Sequence, residues 1–212
     1  MPTNYRTMAV TKTVPIERIL PVLAEKKITL IGESRWQEAK DKLLELPPGI
    51  EKHFIGHLQT NKVKEVVTAF DAIETIDRDK VLLAVALEAQ KQGKVLPIFL
   101  QVNVSNDPAK FGFQLAELDS AVEKASSLPS IKLVGLMTIT AQESETAVRA
   151  DYKMMKQLQL KYQLVELSMG MSQDWQIAAE EGATIVRLGT ALFGQRFSGT
   201  LPSQRWIQFS YS

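Results

Sequence analysis

The sequence contains no cysteine among its 212 residues. Disulfide bonds, thiolate chemistry and zinc sites built on cysteine are therefore excluded. An excess of one charge is missing as well, since 25 basic residues stand against 24 acidic ones and the formal net charge is +1. Proteins whose main partner is nucleic acid usually carry a basic surplus that neutralises phosphates, so this balance argues against that class.

Long apolar runs are also lacking, and no stretch approaches the ~20 residues that a membrane-spanning helix needs. The first residues, MPTNYRT, are polar and contain no apolar signal-peptide core. These absences lead us to expect a cytoplasmic protein that does not bind membranes. Hydrophobic residues nevertheless make up 45% of the chain, which is enough for a substantial core.

What the chain does contain is a regular alternation of strand-like and helix-like segments. Apolar and β-branched residues predict strands at 6–12, 28–34, 52–58, 71–77, 97–104, 131–139, 162–170 and 184–194. Apolar residues at three- and four-residue spacing predict helices between them, as in 115–128 and 147–162. The pattern predicts one (β/α)8 barrel domain over residues 1–212, and an open, doubly wound sheet is the main alternative.

Polar side chains gather where these strands end, which is where barrel enzymes and binding proteins carry their sites. Strand alternation would place Met8, Val10 and Lys12 on one face. If that face is interior, burial favours the neutral amine of a lysine, which attacks carbonyl groups. A solvated lysine at the tip of the strand is the alternative. Arg187 adds a second inward cation on the last predicted strand.

The segments SMGMSQD and LGTALFG follow the last two predicted strands. Their glycines and small hydroxyl residues would let backbone N–H groups approach an anion. Ser172 would cap the next helix, and that helix end either attracts a phosphate or is simply an ordinary capped terminus. A lysine, an arginine and a phosphate site at one barrel mouth indicate a phosphorylated aldehyde, and pyridoxal 5′-phosphate meets that description.

Specific motifs follow one another along most of the chain: AVTKTVP, IGES, HFIGHLQTNK, QVNVS with KFGF, GLMTI, LSMGMSQD and EEGATIVRLGTALFG. In this order they resemble the pyridoxal phosphate homeostasis proteins, a family similar in fold to the barrel domain of alanine racemase. The resemblance implies a protein that holds pyridoxal 5′-phosphate as a Schiff base on Lys12 and takes part in vitamin B6 homeostasis. We expect a monomer that is not an enzyme, with apo forms of pyridoxal phosphate enzymes as recipients of the cofactor.

The resemblance also implies roles for individual residues. Arg187 would face the pyridine nitrogen, where a cation disfavours ring protonation and makes the ring a weaker electron sink. Phosphate contacts would come from Ser168, Gly189 and Thr190, with backbone around Met169 and Ser172. Asn103, Met137 and His57 would line the cofactor, although His57 could instead be a hydrogen-bonded histidine at a strand end.

Two departures from the family pattern stand out. Ser34 occupies the position after GE where members usually have asparagine, so a contact made by that amide would be lost or replaced. Members also usually carry a helix before the first strand, whereas five residues precede Arg6 here, which implies a shortened amino-terminal flank.

A low-activity enzyme, such as an amino-acid racemase, is the alternative function. Racemisation needs a base on each face of the substrate, and in alanine racemase the second base is a tyrosine. None of the four tyrosines, Tyr5, Tyr152, Tyr162 and Tyr211, falls at the carboxyl end of a predicted strand. We therefore expect no robust racemase activity, while a regulatory module that reports cofactor occupancy remains a third reading.

Overall fold

The computed structural model describes residues 5–140 and 144–194, which form a closed parallel barrel of eight strands in sequential order. The strands are β1 (Arg6–Val10), β2 (Leu30–Glu33), β3 (Glu51–Phe54), β4 (Ala72–Ile76), β5 (Leu96–Gln101), β6 (Ile131–Met137), β7 (Glu166–Met171) and β8 (Ile185–Leu188). The helices are α1 (Ile16–Lys26), α2 (Trp36–Leu44), α3 (Val63–Ala69), α4 (Asp79–Lys91), α5 (Leu118–Ser127), α6 (Glu145–Lys161), α7 (Trp175–Glu180) and α8 (Thr190–Phe193). Because β1 pairs with both β2 and β8, the predicted barrel is confirmed and the open sheet is wrong.

Two apolar layers hold the barrel together. Inward side chains from six strands form one cluster inside it, Met8, Leu30, Ala72, Phe99, Met137 and Ile185. Outward side chains of the strands form a second cluster with helical side chains such as Val81 and Val85 of α4. Within the described ranges, none of the helices has the length and apolarity that crossing a bilayer requires.

The predicted bounds of three strands differ from those in the structure. β1 ends at Val10, and Lys12 lies in a turn in which Thr13 adopts a positive φ of 62°. β8 ends at Leu188, and the apolar residues after it form the short helix α8. β7 begins only at Glu166, because Gln163 takes a φ of 55° in the turn that follows α6. Apolar and β-branched residues alone do not distinguish a strand from the turn or helix that continues it.

A bulge near the end of β7 redirects the chain toward β8. The β7–β8 register shifts between Ser168 and Met171, and Gly170 lies there with a φ of +89°. A Cβ at Gly170 would lie 2.5 Å from the Cβ of Ala178, so both the backbone and the packing require glycine. The bulge brings the loop after β7 against the loop after β8.

A buried ion pair behind β1 braces the strand end that carries Lys12. Glu33 is 1% exposed and accepts hydrogen bonds from Lys42 at 2.5 Å and from the Thr11 hydroxyl at 2.7 Å. Lys42 also donates to the Thr11 carbonyl at 2.8 Å, one residue before Lys12. The pair therefore links α2 and β2 to the start of the Lys12 turn.

Replacement of Lys42 by alanine is expected to lower the free energy of unfolding by about 3–5 kcal/mol, because it leaves a buried carboxylate without its cation. Lys40 lies exposed on the same helix, and Lys40→Ala should change stability by less than about 0.5 kcal/mol. Urea denaturation of both variants measures the difference. Equal stabilities of the two variants would show that the ion pair does not brace this strand end.

Candidate functional site

A cavity of about 600 Å³ opens at the carboxyl end of the barrel, within the size range of small-molecule sites. Its walls come from the ends of β1, β7 and β8 and from the start of α6. Five of its lining residues carry the chemistry predicted from the sequence: Lys12, Ser172, Arg187, Gly189 and Thr190. We call this space the mouth cavity.

Lys12 lines the mouth cavity from the turn that follows β1. Met8 packs inside the barrel, and Val10 and Lys12 line the cavity above it. Met8 pairs with Arg187 in the register between β1 and β8. The inward cation of β8 therefore lies below the half-buried Lys12, on the neighbouring strand.

Backbone donors converge beside Thr190 at the edge of the cavity. The N–H groups of Gly189 and Ala191 both donate to the Ser172 hydroxyl oxygen, at 3.2 and 3.3 Å. The prediction that Ser172 caps the next helix is wrong, because α7 begins after Asp174 and Ser172 turns toward the β8 loop instead. Backbone N–H groups and small hydroxyl residues gathered in one loop are the kind of groups that bind phosphate.

The absence of a side chain at Gly189 leaves open space beside the backbone. A Cβ there would have as its nearest neighbour the Cβ of Val10 at 3.6 Å, which is an ordinary van der Waals contact. The added carbon would stand beside Val10 on the cavity wall. The packing of the protein therefore tolerates alanine at this position, and the space is available to a ligand.

Arg187 is 4% exposed and is held by two hydrogen bonds. Its guanidinium donates to the Ser168 hydroxyl at 2.8 Å and to the Thr138 carbonyl at 2.6 Å. Burial lowers the pKa of Arg187, and the charges of Glu74, Tyr152 and Asp174 oppose that effect. The site thus presents a fixed, buried cation at the floor of the mouth cavity.

A continuous hydrogen-bonded chain runs from this cation through the barrel to its opposite end. Ser168 donates to Glu74 at 2.6 Å, and the other Glu74 oxygen lies 2.7 Å from Nδ1 of His53. Nε2 of His53 lies 2.7 Å from Glu51, which also accepts from Arg6 at 2.6 Å. We call these residues the interior network: Arg187, Ser168, Glu74, His53, Glu51 and Arg6.

His53 is protonated at neutral pH within this network. Burial alone would lower its pKa, but the hydrogen bonds and charges of Glu51 and Glu74 outweigh that effect and raise the pKa to about 9. The hydrogen bond from His53 likewise lowers the pKa of Glu51 to about 2. Cations and carboxylates therefore alternate along the interior network.

The raised pKa of His53 predicts a pH dependence of stability. The folded state binds a proton more tightly than the unfolded chain, so the stabilisation is complete below pH 6.5 and is lost as pH rises through about 9. The free energy of unfolding should fall by about 3 kcal/mol over that window. Urea denaturation at several pH values measures it, and His53→Gln should remove this decrease; an equal decrease in the variant would assign it to other groups.

The described wall of the mouth cavity does not include six of the predicted site residues: Ser34, His57, Asn103, Met137, Ser168 and Met169. The side chain of Met137 packs inside the barrel, and that of Met169 is fully buried between β7 and the helices. The side-chain amide of Asn103 donates to the Asp107 carbonyl at 2.8 Å and its oxygen accepts from the Asp107 N–H at 3.1 Å. Asn103 thus orders the loop after β5, and a contact of these residues with a ligand remains a prediction.

Ser34 and His57 line a second cavity, of about 660 Å³, after β2 and β3. Nδ1 of His57 lies 3.1 Å from Asp77, and its ring stacks on Phe111 with centroids 4.0 Å apart. These contacts agree with the alternative reading of His57 as a hydrogen-bonded histidine at a strand end. A contact of Ser34 or His57 with a ligand of the mouth cavity stays a prediction.

None of the tyrosines among the described residues lines the mouth cavity. Tyr152 comes nearest, since its hydroxyl donates at 2.8 Å to Asp174, a lining residue, but it is 1% exposed. Burial and the Asp174 charge raise the pKa of Tyr152, which keeps it a protonated phenol that cannot accept a substrate proton. Tyr5 contacts Trp175, Tyr162 contacts Lys161 at the end of α6, and Tyr211 lies outside the described residues.

Sequence reasoning missed Glu74 and Asp174. Glu74 interrupts the apolar strand AIETI, and a fully buried carboxylate in such a strand is a signal that it has a partner. Asp174 accepts hydrogen bonds from Tyr152, from Thr140 and from the Met171 N–H. The described residues bring together no group of three or more histidine and carboxylate side chains that could hold a metal ion.

Comparisons with known proteins agree with this geometry. The family described as alanine racemase, N-terminal domain, matches residues 1–197. The pyridoxal phosphate homeostasis protein of Vibrio cholerae is 38% identical over 204 residues, which cover 91% of this chain and 86% of that protein. The protein of the same name from Escherichia coli K12 is 36% identical over 209 residues, covering 92% and 87%.

Solved structures show the same architecture. PipY from Synechococcus elongatus superposes with a TM-score of 0.86 without pyridoxal phosphate, at 33% identity, covering 92% of this chain and 94% of that one. Its structure with pyridoxal phosphate bound gives a TM-score of 0.83 at 32% identity, with the same coverage. An alanine racemase from Clostridium difficile shares the fold, with a TM-score of 0.73 at 15% identity, covering 93% of this chain and 54% of that one.

Proposed function

Because the chain belongs to the pyridoxal phosphate homeostasis protein family, we propose that it binds pyridoxal 5′-phosphate in the mouth cavity and takes part in the homeostasis of this cofactor. The observation that carries the proposal is the meeting of Lys12, buried Arg187 and the Ser172–Gly189–Thr190 donors around one cavity. The related PipY structure that contains pyridoxal phosphate supports it.

The residues present fit each part of the cofactor. Bound pyridoxal phosphate supplies an aldehyde, an electron-withdrawing ring and a phosphate. The Lys12 amine would hold the aldehyde end of the cofactor, as the nucleophile that condenses with it with loss of one water. The hydroxyl groups of Thr190 and Ser172 would bind the phosphate oxygens, and the backbone N–H groups of Gly189 and Ala191 orient Ser172 by donating to its oxygen.

Arg187 explains why the protein holds the cofactor rather than uses it. A guanidinium has only donors, so a ring nitrogen that faces Arg187 accepts a hydrogen bond and stays unprotonated. An unprotonated ring withdraws electrons weakly, which disfavours loss of a substrate proton. The Tyr152 hydroxyl is committed to Asp174 and offers no second base. A low-activity racemase remains the alternative.

We further propose that the protein acts as a monomer in the cytoplasm and passes its cofactor to apo-enzymes. Lys12, Arg187 and Thr190 of this chain converge on the mouth cavity. Its bacterial relatives carry the name of homeostasis proteins.

The experiment that tests this function measures transfer against turnover. The protein is loaded with pyridoxal phosphate, freed of excess cofactor and mixed with an apo-aminotransferase, whose recovered activity is followed. We expect recovery of the aminotransferase, and little conversion of L- to D-alanine by the loaded protein alone. Turnover of amino acids at ordinary enzymatic rates, about 1–10³ per second, would favour the racemase alternative. Failure to bind pyridoxal phosphate would refute the proposed function itself.

A further inference from the structure

The buried charge of Arg187 needs a counter-charge inside the barrel. An unpaired cation in a protein interior is strongly destabilising, and a guanidinium does not lose its proton in proteins. The carboxylates whose charges act on Arg187 are Glu74 and Asp174. Asp174 accepts hydrogen bonds from Tyr152, the Met171 N–H and Thr140, and it sits at the cavity wall.

Glu74 is connected to Arg187 through a single hydroxyl whose hydrogen-bond directions are fixed. The guanidinium can only donate, so the Ser168 oxygen accepts from it at 2.8 Å. The single hydroxyl hydrogen of Ser168 then goes to Glu74 at 2.6 Å. The second Glu74 oxygen accepts from protonated His53 at 2.7 Å. The donor and acceptor roles along this stretch are therefore all determined.

The orientation of the guanidinium depends on the same contacts. Two nitrogen atoms of the guanidinium are held by hydrogen bonds, one to the Ser168 side chain and the other to the Thr138 backbone carbonyl. The carbonyl belongs to the fold, whereas the position of the Ser168 hydroxyl is set by Glu74. Glu74, on the far side of the barrel interior, thus controls one of the two anchors of Arg187.

We propose that Glu74 is a positioning residue for Arg187, which acts through the Ser168 hydroxyl to fix the guanidinium and balance its charge. In so far as Arg187 meets the pyridine nitrogen of the cofactor, this assignment rests on the proposed function. His53 holds the other Glu74 oxygen and so prevents the carboxylate from turning away from Ser168. The cation at the cavity floor is therefore set by residues that lie outside the cavity wall.

The first test needs no cofactor. NMR exchange of the guanidinium N–H groups with water is measured in the apo protein, with the Arg187 signals assigned by Arg187→Lys. Ser168→Ala and Glu74→Gln should each speed exchange by about tenfold to a hundredfold, as loss of one charge-assisted hydrogen bond allows. Ser130→Ala is the matched control, because Ser130 is buried and donates to the Ala86 carbonyl on another part of the barrel.

The second test uses the loaded protein. The charged and titratable groups around Arg187 are Glu74 on β4, Tyr152 on α6 and Asp174 before α7, and Lys12 and Glu145 line the same cavity. We expect Ser168→Ala to shift the pH profile of the bound cofactor's visible absorption, and Ser130→Ala to leave it unchanged. A purely structural role of Glu74 predicts lower stability with an unchanged profile.

The apo exchange rates and the pH profile of the bound cofactor distinguish failure of the positioning role from failure of the proposed function. Unchanged Arg187 exchange in Ser168→Ala overturns the positioning role, whatever the cofactor does. Should Glu74→Gln not fold, Ser168→Ala still decides, because it removes the bridge and leaves the carboxylate in place. A wild type that never binds pyridoxal phosphate would defeat the proposed function, while the apo exchange measurement would still test Glu74.

Discussion

Lys12→Ala is expected to abolish covalent retention of pyridoxal phosphate while the barrel stays folded. Lys12 lies in the turn after β1, at the wall of the mouth cavity, and we propose that its amine condenses with the aldehyde of the cofactor. Without that amine, the visible absorption band of the loaded protein should disappear, and no cofactor should survive denaturation after borohydride treatment. Absorbance spectra and mass spectra of the variant measure both effects.

Two controls make the Lys12 result specific. Lys12→Arg keeps the charge but cannot condense with an aldehyde, so it should behave as the alanine variant does. Lys40→Ala changes an exposed lysine on α2 and should bind as the wild type does. A visible band that persists in both Lys12 variants would assign the covalent bond to another lysine.

Substitution of the residues proposed to bind the phosphate is expected to give the second large effect, a loss of affinity for pyridoxal phosphate. Thr190→Val and Ser172→Ala each remove a hydroxyl at the mouth cavity, and Gly189→Ala fills space beside Val10 that the fold leaves open. A hydrogen bond to a charged group contributes roughly 1.5–3 kcal/mol, so each hydroxyl variant should weaken pyridoxal phosphate binding by about tenfold to a hundredfold. Fluorescence titration measures the affinities.

Pyridoxal without its phosphate is the matched probe for these variants. Its affinity should be lower than that of the phosphorylated form in the wild type and should change little in Thr190→Val. Equal binding of pyridoxal and pyridoxal phosphate by the wild type would show that the loops after β7 and β8 do not hold a phosphate. Ser168→Ala is the contrasting variant, since the Ser168 hydroxyl already bonds Glu74 and Arg187.

The barrel could be predicted because the strand-like and helix-like segments can be recognised from short, local stretches of sequence. Alternating strand-like and helix-like segments require parallel strands with helical crossovers, whatever the partners of each residue are. Side-chain alternation alone likewise predicted that Met8, Val10 and Lys12 lie on one side of the chain. The ends of the strands were less predictable, because the apolar residues after Leu188 suit a strand and a short helix equally well.

The interior network could not be derived from the sequence, since its contacts are distant along the chain. Ser168 and Glu74 are 94 residues apart, and only the closure of the barrel brings them together. Ser168 was therefore predicted as a phosphate ligand from its motif, whereas the structure gives its hydroxyl to Glu74 and Arg187. Ser34 and His57 line a second cavity, and their contact with the cofactor stays a prediction.

Peptide mapping after borohydride reduction tests the central claim most directly. The wild-type protein is loaded with pyridoxal phosphate, reduced, digested and analysed by mass spectrometry. We predict that the reduced cofactor is attached to the peptide that contains Lys12, with about one cofactor per chain. Reduced cofactor on other lysines with Lys12 unmodified, or no covalent cofactor in a protein that binds pyridoxal phosphate, would contradict the account.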